Sequence, residues 1–290
     1  MITRSAPAKI NLALHVTGQR QDGYHLLDSL VAFASVGDIV TVSEAPKLTL
    51  SVSGWFADDL AVGGDNLVLR AARLLSPGRG AAIGLRKNLP VAAGIGGGSA
   101  DAAACLHALA DLWQVPLPAA MKVLGLGADL PVCLDGRPSR LRGIGEGLEP
   151  VALPAFQAVL VNPGVALATP AAFRALKVRE NPPLPDPPTS ADAEQWLGYL
   201  NKARNDLEAA AVSLQPKVSL VLAFLRVMDG CRLARMSGSG ATCFGLFDNA
   251  DSARAAALRI RKLRPDWWVV DTSISGSGDP RHHIIGNPGQ

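Results

Sequence analysis

Apolar residues recur at every second position in several segments of the first half of the chain, and this spacing predicts β-strands. The clearest case places Ile10, Leu12, Leu14 and Val16 on one face, and residues 48–52 alternate as strictly. The predicted strands of this half are residues 10–16, 38–43, 48–52 and 83–86.

A spacing of three and four residues between apolar positions predicts two helices in the same half. The first covers residues 65–75, where Asp65 and Asn66 can cap its start. The second covers residues 99–113. The positions expected to face inward are Leu67, Ala71, Leu74 and Leu75 in the first helix, and Cys105, Leu106, Leu109, Leu112 and Trp113 in the second. Strands and helices mixed without regular β-α-β alternation indicate an α+β fold rather than a doubly wound sheet.

The second half begins near Glu149 and Pro150, so we expect one domain over residues 1–150 and another over 151–290. Residues 181–188 contain five prolines in eight positions. Proline lacks a backbone N–H and fixes φ, which excludes a helix or a central strand here. This segment is therefore predicted to be an exposed loop.

The rest of the second half again mixes helices and strands. The predicted helices are residues 192–200, 216–228 and 251–263, and the predicted strands are residues 158–161, 242–247 and 267–272. The tail over residues 275–290 is rich in Gly, Pro and His, and we expect it to be loosely held. Its adjacent His282 and His283 are interpreted as part of that tail rather than as a metal site.

Composition narrows the class of protein. Of the 290 residues, 48% are hydrophobic and 18% are charged, which is typical of a globular protein with a substantial core. The formal net charge of +3 is too small to favour nucleic-acid binding. The four cysteines lack Cys-x-x-Cys spacing, so neither a zinc site nor a disulfide framework is expected. Without a signal segment or a membrane-spanning apolar run, the sequence predicts a cytoplasmic enzyme.

The segment from Leu89 to Ala102 carries the strongest chemical signal, because four glycines and Ser99 stand directly before an alanine-rich helix. Glycine lets a ligand approach the backbone, and the first turn of a helix offers free N–H groups and a partial positive charge. Together these features favour a phosphate site. The segment is not a Walker A loop, because no Gly-Lys-Ser/Thr follows its glycines. It is not a Gly-x-Gly-x-x-Gly loop either, since Ser99 occupies the third glycine position. A loop whose glycines only permit tight packing is the alternative interpretation.

Three other segments contain candidate chemistry, each with a simpler explanation. Lys9 begins an alternating strand, where a lysine is usually a solvated charge. Asp129 lies among small and apolar residues, as a turn-forming residue or as a general base in a dry site. Residues 236–242 form a second small-residue loop before a strand, which alone indicates a hairpin or a bulge.

In combination these segments resemble a known family. Residues 7–12, 90–102 and 236–242 are similar, in order, to the three motifs of the galactokinase, homoserine kinase, mevalonate kinase and phosphomevalonate kinase (GHMP) superfamily. Residues 18–25 and 127–132 resemble one of its families more closely, the ATP-dependent 4-diphosphocytidyl-2-C-methyl-D-erythritol kinases of non-mevalonate isoprenoid synthesis. The resemblance spans nearly the whole chain. It implies a two-domain α+β fold with a ribosomal-protein-like N-terminal domain, an α/β-plait C-terminal domain, and an active site in the cleft between them.

The resemblance also implies roles for individual residues. Lys9 and Asp129 would form the catalytic pair: Asp129 takes the proton of the attacking hydroxyl, while Lys9 keeps Asp129 ionised and lowers the pKa of that hydroxyl. Tyr24 and Phe173 would stack on the two faces of the cytosine ring, and His25 would hydrogen-bond its edge.

Binding roles follow in the same way. Asn11 and Thr169 would help to place the substrate, and Ser99 is the candidate ligand of the magnesium ion that accompanies ATP. No tightly bound prosthetic group is expected. The residues assigned to ATP are Asn66, Lys87, Val91, Ala92, Ala93, Gly94, Ile95, Gly96, Gly97, Gly98, Ser99, Ala100 and Asp101.

The implied reaction is ATP-dependent phosphorylation of the 2-hydroxyl of 4-diphosphocytidyl-2-C-methyl-D-erythritol. One alternative is a homoserine or mevalonate kinase, which would have no use for Tyr24 and His25. A second is a non-catalytic nucleotide-binding regulator, which would not need both Lys9 and Asp129. A third, an RNA-binding protein, is disfavoured by the small net charge. The expected partners are ATP and a small-molecule substrate, without nucleic acid or membrane, for a monomer or a homodimer.

Overall fold

A computed structural model describes residues 1–60, 63 and 65–275 of the chain. The strands are β1 (Ile2–Gln19), β2 (His25–Ser43), β3 (Leu48–Ser53), β4 (Ala81–Arg86), β5 (Ser139–Gly143), β6 (Gly147–Pro150), β7 (Phe156–Asn162), β8 (Cys231–Met236), β9 (Cys243–Phe247) and β10 (Trp268–Ser275). The helices are α1 (Leu67–Leu75), α2 (Gly97–Trp113), α3 (Ala120–Leu124), α4 (Leu130–Asp135), α5 (Thr169–Arg174), α6 (Ala193–Lys202), α7 (Glu208–Leu214), α8 (Lys217–Arg226) and α9 (Ala250–Leu263). The prediction for His282 and His283 lies outside the described residues.

One sheet runs through both halves of the described chain. Its strand order is β3-β4-β2-β10-β7-β9-β8, with β1 paired to β2, and β5 paired to both β2 and β6. Only β3 and β4 pair in parallel; the other ladders between these strands are antiparallel. The last strand, β10, pairs with β7 and also reaches β2, where Ile274 lies opposite Ala34. The mixed arrangement confirms the predicted α+β class.

The predicted strands 10–16 and 38–43 are parts of two much longer strands, of 18 and 19 residues. Residues 10–16 lie within β1, and residues 38–43 form the end of β2. Their full length was not predicted, because residues 30–34 of β2 are apolar at every position and buried on both faces, and residues 2–9 of β1 show no clear apolar alternation. The pairing of β1 with β2 shifts register between Pro7 and Lys9 and again between Asn11 and Ala13. Such irregularities redirect side chains, and here they flank the predicted catalytic lysine.

Helix α1 begins where the sequence predicts, with Asn66 accepting a hydrogen bond from the Val68 N–H at 2.9 Å. The predicted inward face is partly wrong, because Leu74 is 37% exposed. Val68, Leu69, Ala71 and Ala72 are the buried positions, since the helix packs against α2 on that side.

Helix α2 begins at Gly97, two residues before the predicted start, so two glycines of the motif form part of its first turn. Its predicted inward residues Cys105, Leu106, Leu109 and Trp113 are buried. The short elements α3, α4, α5, α7, β5, β6 and β8 were not predicted, because they are too short to show a period.

The proline-rich residues 181–188 form neither helix nor strand, as predicted. The expectation of an exposed loop is wrong for Leu184, which is only 3% exposed. Its carbonyl accepts a hydrogen bond from Arg140 at 2.5 Å, and its N–H donates to Asp28 at 3.1 Å. The segment is therefore fastened to the buried ion pair that joins β2 and β5.

Among the described residues, three groups of buried apolar side chains stabilise the sheet. One lies in the first half, one lies in the second half together with Leu14 and Val16 of β1, and one lies between the halves. The middle group includes Ile10 and Leu89 from the first half, and Phe156, Phe244 and Ile274 from the second. The two halves therefore share a core beside the cleft. Among the described residues, none of the helices combines the length and apolar character that a membrane-spanning segment needs.

Candidate active site

A cavity of about 480 Å³ lies between the two halves of the chain and contains most of the predicted site. The predicted residues that line it are Lys9, Asn11, Lys87, Val91, Ala92, Ala93, Gly94, Gly96, Gly97, Gly98, Ser99, Asp101, Asp129, Thr169 and Phe173. A larger cavity of about 800 Å³ adjoins it at Pro90 and is lined by Trp55 and Trp267, but it contains neither Lys9 nor Asp129. The candidate chemistry therefore belongs to the smaller cavity.

Lys9 and Asp129 form an ion pair, with 3.0 Å between Nζ and Oδ2. Lys9 is 3% exposed and sits in β1, where its N–H donates to the carbonyl of Ile95 at 2.9 Å. Asp129 precedes α4, and its side chain is 36% exposed towards the cavity. A buried cation thus holds a carboxylate that remains open to a ligand, the arrangement that a general base requires.

A chain of hydrogen bonds fixes the Lys9 ammonium group. Lys9 Nζ donates to Asn11 Oδ1 at 2.7 Å, Asn11 Nδ2 donates to Ser29 Oγ at 2.8 Å, and Ser29 Oγ donates to the Ala13 carbonyl at 2.7 Å. Because the Ser29 hydroxyl gives its proton to a carbonyl, it accepts from the Asn11 amide and sets the orientation of that amide. Sequence reasoning missed Ser29, since a serine within a strand carries no signal of its own. With its amide engaged in this way, contact of Asn11 with substrate stays a prediction.

The glycine-rich segment from Leu89 to Ala102, here called the glycine motif, has a backbone conformation that would be strained with other residues at two positions. Gly94 and Gly96 have φ of +75° and +62°. A Cβ at Gly94 would lie 2.5 Å from the Ser237 carbonyl oxygen, and one at Gly96 would lie 3.0 Å from the Lys9 side chain. Glycine is therefore required here for close packing as well as for conformation.

The third motif, residues 236–242, holds the glycine loop, residues 90–99, against β1. Ser237 Oγ donates to the Gly94 carbonyl at 3.0 Å and accepts the Asn11 N–H at 3.1 Å. The Thr242 N–H donates to the Ala93 carbonyl at 3.1 Å. All three sequence motifs thus meet around one cavity, although the first and the third lie more than 200 residues apart in the sequence.

The predicted phosphate site falls on the first turn of α2. The N–H groups of Gly97, Gly98 and Ser99 fall in that turn, where helices have no internal acceptors for them. A Cβ at Gly98 would meet no described atom within 4 Å, so its backbone faces open space in the cavity. Free donors at the positive end of a 17-residue helix suit an anion.

Lys87 and Asp101, two residues predicted to lie near adenosine, form an ion pair with each other. Lys87 Nζ forms ion pairs with Asp38 and, at 2.8 Å, with Asp101. Burial alone would lower the pKa of Lys87, but the two carboxylates outweigh it and raise that pKa. Burial raises the pKa of Asp101, and Lys87 offsets this only in part. Adenosine contacts of Lys87, Asp101 and the helix-capping Asn66 stay predictions.

The predicted cytosine site is only partly assembled. His25 and Phe173 stack with ring centroids 4.8 Å apart and planes at 24°, whereas Tyr24 is 62% exposed. His25 Nε2 is buried without a hydrogen-bond partner among the described residues, and burial lowers the pKa of the ring. Thr169 Oγ1 lies 2.8 Å from Ser239 Oγ at the wall of the cavity. The stacking of Tyr24 and Phe173 on one base remains untested.

Comparison with known proteins places this geometry in a family. Residues 66–140 match the family described as GHMP kinases N terminal domain, and residues 191–266 match GHMP kinases C terminal. The two matches lie on either side of residue 150, and the domain boundary proposed there stays a prediction.

Similar proteins agree over almost the full length. A Cereibacter sphaeroides protein named 4-diphosphocytidyl-2-C-methyl-D-erythritol kinase is 57% identical, covering 93% of this chain and 98% of the relative. A Paracoccus denitrificans protein of the same name is 56% identical, covering 93% and 96%. A crystal structure of 4-(cytidine 5'-diphospho)-2C-methyl-D-erythritol kinase superposes with a TM-score of 0.79 at 35% identity, covering 95% of this chain and all of that one. Homoserine kinase from Cytophaga hutchinsonii, at 17% identity and TM-score 0.62 over 95% of each chain, shares the fold.

Proposed function

The chain belongs to the 4-diphosphocytidyl-2-C-methyl-D-erythritol kinase family of the GHMP kinases, and from this premise we propose how its own residues perform the reaction. The enzyme phosphorylates the 2-hydroxyl of 4-diphosphocytidyl-2-C-methyl-D-erythritol with ATP, giving the 2-phosphate and ADP in non-mevalonate isoprenoid synthesis. The homoserine and mevalonate kinase alternatives share only the fold at 17% and 12% identity. The residue roles below are our proposal.

Asp129 is the general base in this proposal. It accepts the proton of the 2-hydroxyl as that oxygen attacks the γ-phosphorus of ATP. A bond forms between the 2-oxygen and the γ-phosphorus, the bond from phosphorus to the bridging oxygen breaks, and ADP leaves. Lys9 holds the Asp129 carboxylate from 3.0 Å and offsets negative charge around the reacting oxygens. Phosphoryl transfer needs mainly this kind of positioning and charge stabilisation.

One observation carries the proposal: the base and the phosphate site are adjacent. The position of a Cβ on Gly96 lies 3.6 Å from Asp129 Oδ2, and Gly96 directly precedes the first turn of α2. A γ-phosphate bound by that turn would lie beside the carboxylate. An acid that served only as a turn former would have no reason to lie at the mouth of an anion site.

Ser99 is the side chain that we assign to Mg²⁺. This ion commonly takes one or two protein oxygens together with phosphates and water. Among the described residues, no group of three His, Cys, Asp or Glu side chains could hold a metal ion. The ATP phosphates would therefore supply most of its ligands, and the ion would neutralise part of their charge. A cytoplasmic location and a monomeric or homodimeric state also stay predictions.

The direct test incubates the protein with ATP, Mg²⁺ and 4-diphosphocytidyl-2-C-methyl-D-erythritol and follows ADP release and the 2-phosphate by phosphorus NMR. Homoserine and mevalonate serve as control acceptors in parallel. We expect product only with the cytidine substrate. Equal turnover of a plain alcohol would contradict the assigned substrate, and ATP hydrolysis without a phosphorylated product would contradict the role of Asp129 as base.

Substrate recognition gives a further prediction at His25. Its Nε2, which has no hydrogen-bond partner among the residues that the structure describes, can accept a hydrogen bond from the amino group of cytosine, whereas uracil presents an oxygen at that position. A neutral imidazole can change tautomer, so uracil does not leave a charged group unpaired. We therefore expect kcat/KM for the cytidine and uridine substrates to differ by about the energy of one neutral hydrogen bond, which is about tenfold. We expect the uridine analogue to be the poorer substrate by that factor, and His25→Ala to remove the preference.

Tyr24→Leu is the matched control, because stacking does not depend on which base is bound. It should weaken the cytidine and uridine substrates alike and leave their ratio unchanged. Competition assays with both analogues measure these ratios for the native protein and both variants. If the native protein does not distinguish the two bases, the role assigned to His25 is wrong.

A further inference from the structure

We propose that Asp38 is a positioning residue for the ATP phosphates, because it fixes both ends of the loop that binds them. Sequence reasoning gave Asp38 no role beyond its place in a strand, and its side chain is fully buried. It cannot touch ATP and must act through its neighbours. The inference rests on the proposed role of the loop over residues 90–99 in binding phosphate.

Asp38 fixes the entry to the loop through its first oxygen. Oδ1 accepts the N–H of Asn88 at 2.6 Å and the N–H of Leu89 at 2.8 Å. The Asn88 side chain adds a third bond, from Nδ2 to the Gly37 carbonyl at 3.1 Å. Asn88 and Leu89 directly precede Pro90, where the loop begins, so the loop leaves the sheet in one defined direction.

Asp38 fixes the exit through its second oxygen. Oδ2 pairs with Lys87 Nζ, which also donates to Asp101 Oδ2 at 2.8 Å. Asp101 lies one turn into α2, directly after the first-turn residues that we propose as phosphate donors. A Cβ at Gly97 would be 3.1 Å from Lys87 Nζ, so the ammonium group lies against the first turn itself.

The cluster of Asp38, Lys87 and Asp101 is almost completely buried. The side chains of Asp38, Lys87 and Asp101 are each at most 2% exposed. Water therefore cannot replace a lost partner, and a buried charge left unpaired must be neutralised or moved. Because these three side chains hold the loop at both ends, a substitution of Asp38 should displace the N–H groups of the first turn of α2 that we propose as phosphate donors.

The test compares Asp38→Asn with Asp28→Asn. Asparagine keeps the shape of the side chain but sets an amide group against the Lys87 ammonium. Asp28 lies in the same strand, is 3% exposed and pairs with Arg140 at 2.7 Å. Its carboxylate accepts hydrogen bonds from Arg140 and from the Leu184 N–H, neither of which belongs to the glycine loop. Both variants should lower the unfolding temperature.

We expect only Asp38→Asn to raise the KM for ATP and the calorimetric Kd for ADP, each about tenfold, since one charge-assisted contact is disturbed. The KM of Asp38→Asn for the cytidine substrate should stay within about twofold of the native value. For Asp28→Asn, the KM for ATP and the Kd for ADP should also stay within about twofold. If both variants lose stability while ADP affinity stays unchanged, Asp38 is only structural. Equal weakening of ADP and the cytidine substrate would also overturn the proposal.

Amide exchange in the native protein keeps the inference testable if Asp38→Asn does not fold. The N–H groups of Asn88 and Leu89 should exchange slowly without nucleotide, because a buried carboxylate holds them. Exchange as fast as in exposed loops would contradict a fixed entry to the loop. The ADP titration does not need catalysis, so it tests Asp38 even if the native protein fails to phosphorylate the expected substrate.

Discussion

Asp129→Asn is expected to lower kcat by about 10²- to 10⁴-fold, the usual contribution of a general base. Asparagine keeps the size and an oxygen for Lys9 but cannot accept the hydroxyl proton at neutral pH. The KM for ATP should change little, because the phosphate donors belong to α2 rather than to Asp129. Steady-state kinetics with ADP detection measures both constants.

Asp135→Asn is the matched control. Asp135 ends the same short helix that Asp129 begins, and it also forms an ion pair, with Arg137 at 2.8 Å. It does not line the cavity, so its replacement should leave kcat within about twofold, as surface substitutions usually do. If Asp129→Asn behaves like Asp135→Asn, then Asp129 only shapes a turn and the proposed mechanism is wrong.

The pair should also act as a unit. Lys9→Met removes the cation that holds the carboxylate and leaves Asn11 without its donor. In the double variant the two losses should not add, because residues that act together lose their joint contribution with either one. Additive losses would mean that Lys9 acts on the phosphates independently of Asp129.

Local patterns predicted most of the long elements correctly because these are amphipathic. The strand at Leu48–Ser53 and the helices that begin at Leu67 and Ala250 each have one more buried face and one solvent-exposed face. The regular spacing of their apolar residues therefore predicts them. The middle of β2 lacks that signal, because residues 30–34 are apolar and buried at every position. Strand β1 is buried on both sides, so its Lys9 and Asn11 read as polar interruptions of a strand rather than as the floor of a cavity.

The sequence indicates candidate site residues where these depend on residue type and order, and it misses those that depend on long-range contact. Glycines before a helix indicate phosphate binding within a single segment. Nothing in one segment shows that Ser237 meets Asn11 and Gly94, or that Asp38 supports residues 88 and 89. The stacking of His25 on Phe173 likewise joins residues from opposite halves of the chain. Such contacts are fixed by the sheet topology, which no local period encodes.

The glycines of the loop differ in what a substitution would test. A side chain at Gly94 would strain a φ of +75° and collide with Ser237, so a loss of ATP binding there could reflect misfolding. One at Gly97 would press on Lys87. Gly98 alone among these three meets no described atom within 4 Å of an added Cβ and still lines the cavity. It therefore separates blocking of the ligand from damage to the fold.

Gly98→Val should raise the KM for ATP by roughly 100-fold, since losing two hydrogen bonds to a charged phosphate costs about 3 kcal/mol. The unfolding temperature should not fall, because valine is a better helix former than glycine. Gly198→Val in α6 is the control: its Cβ also meets no described atom within 4 Å, but it lies outside the cavity, so the KM for ATP should not change. Calorimetric titration with ADP and kinetics with both substrates decide the outcome. Unchanged ATP binding in Gly98→Val would show that phosphate does not approach this turn, and the glycine motif would then serve packing alone.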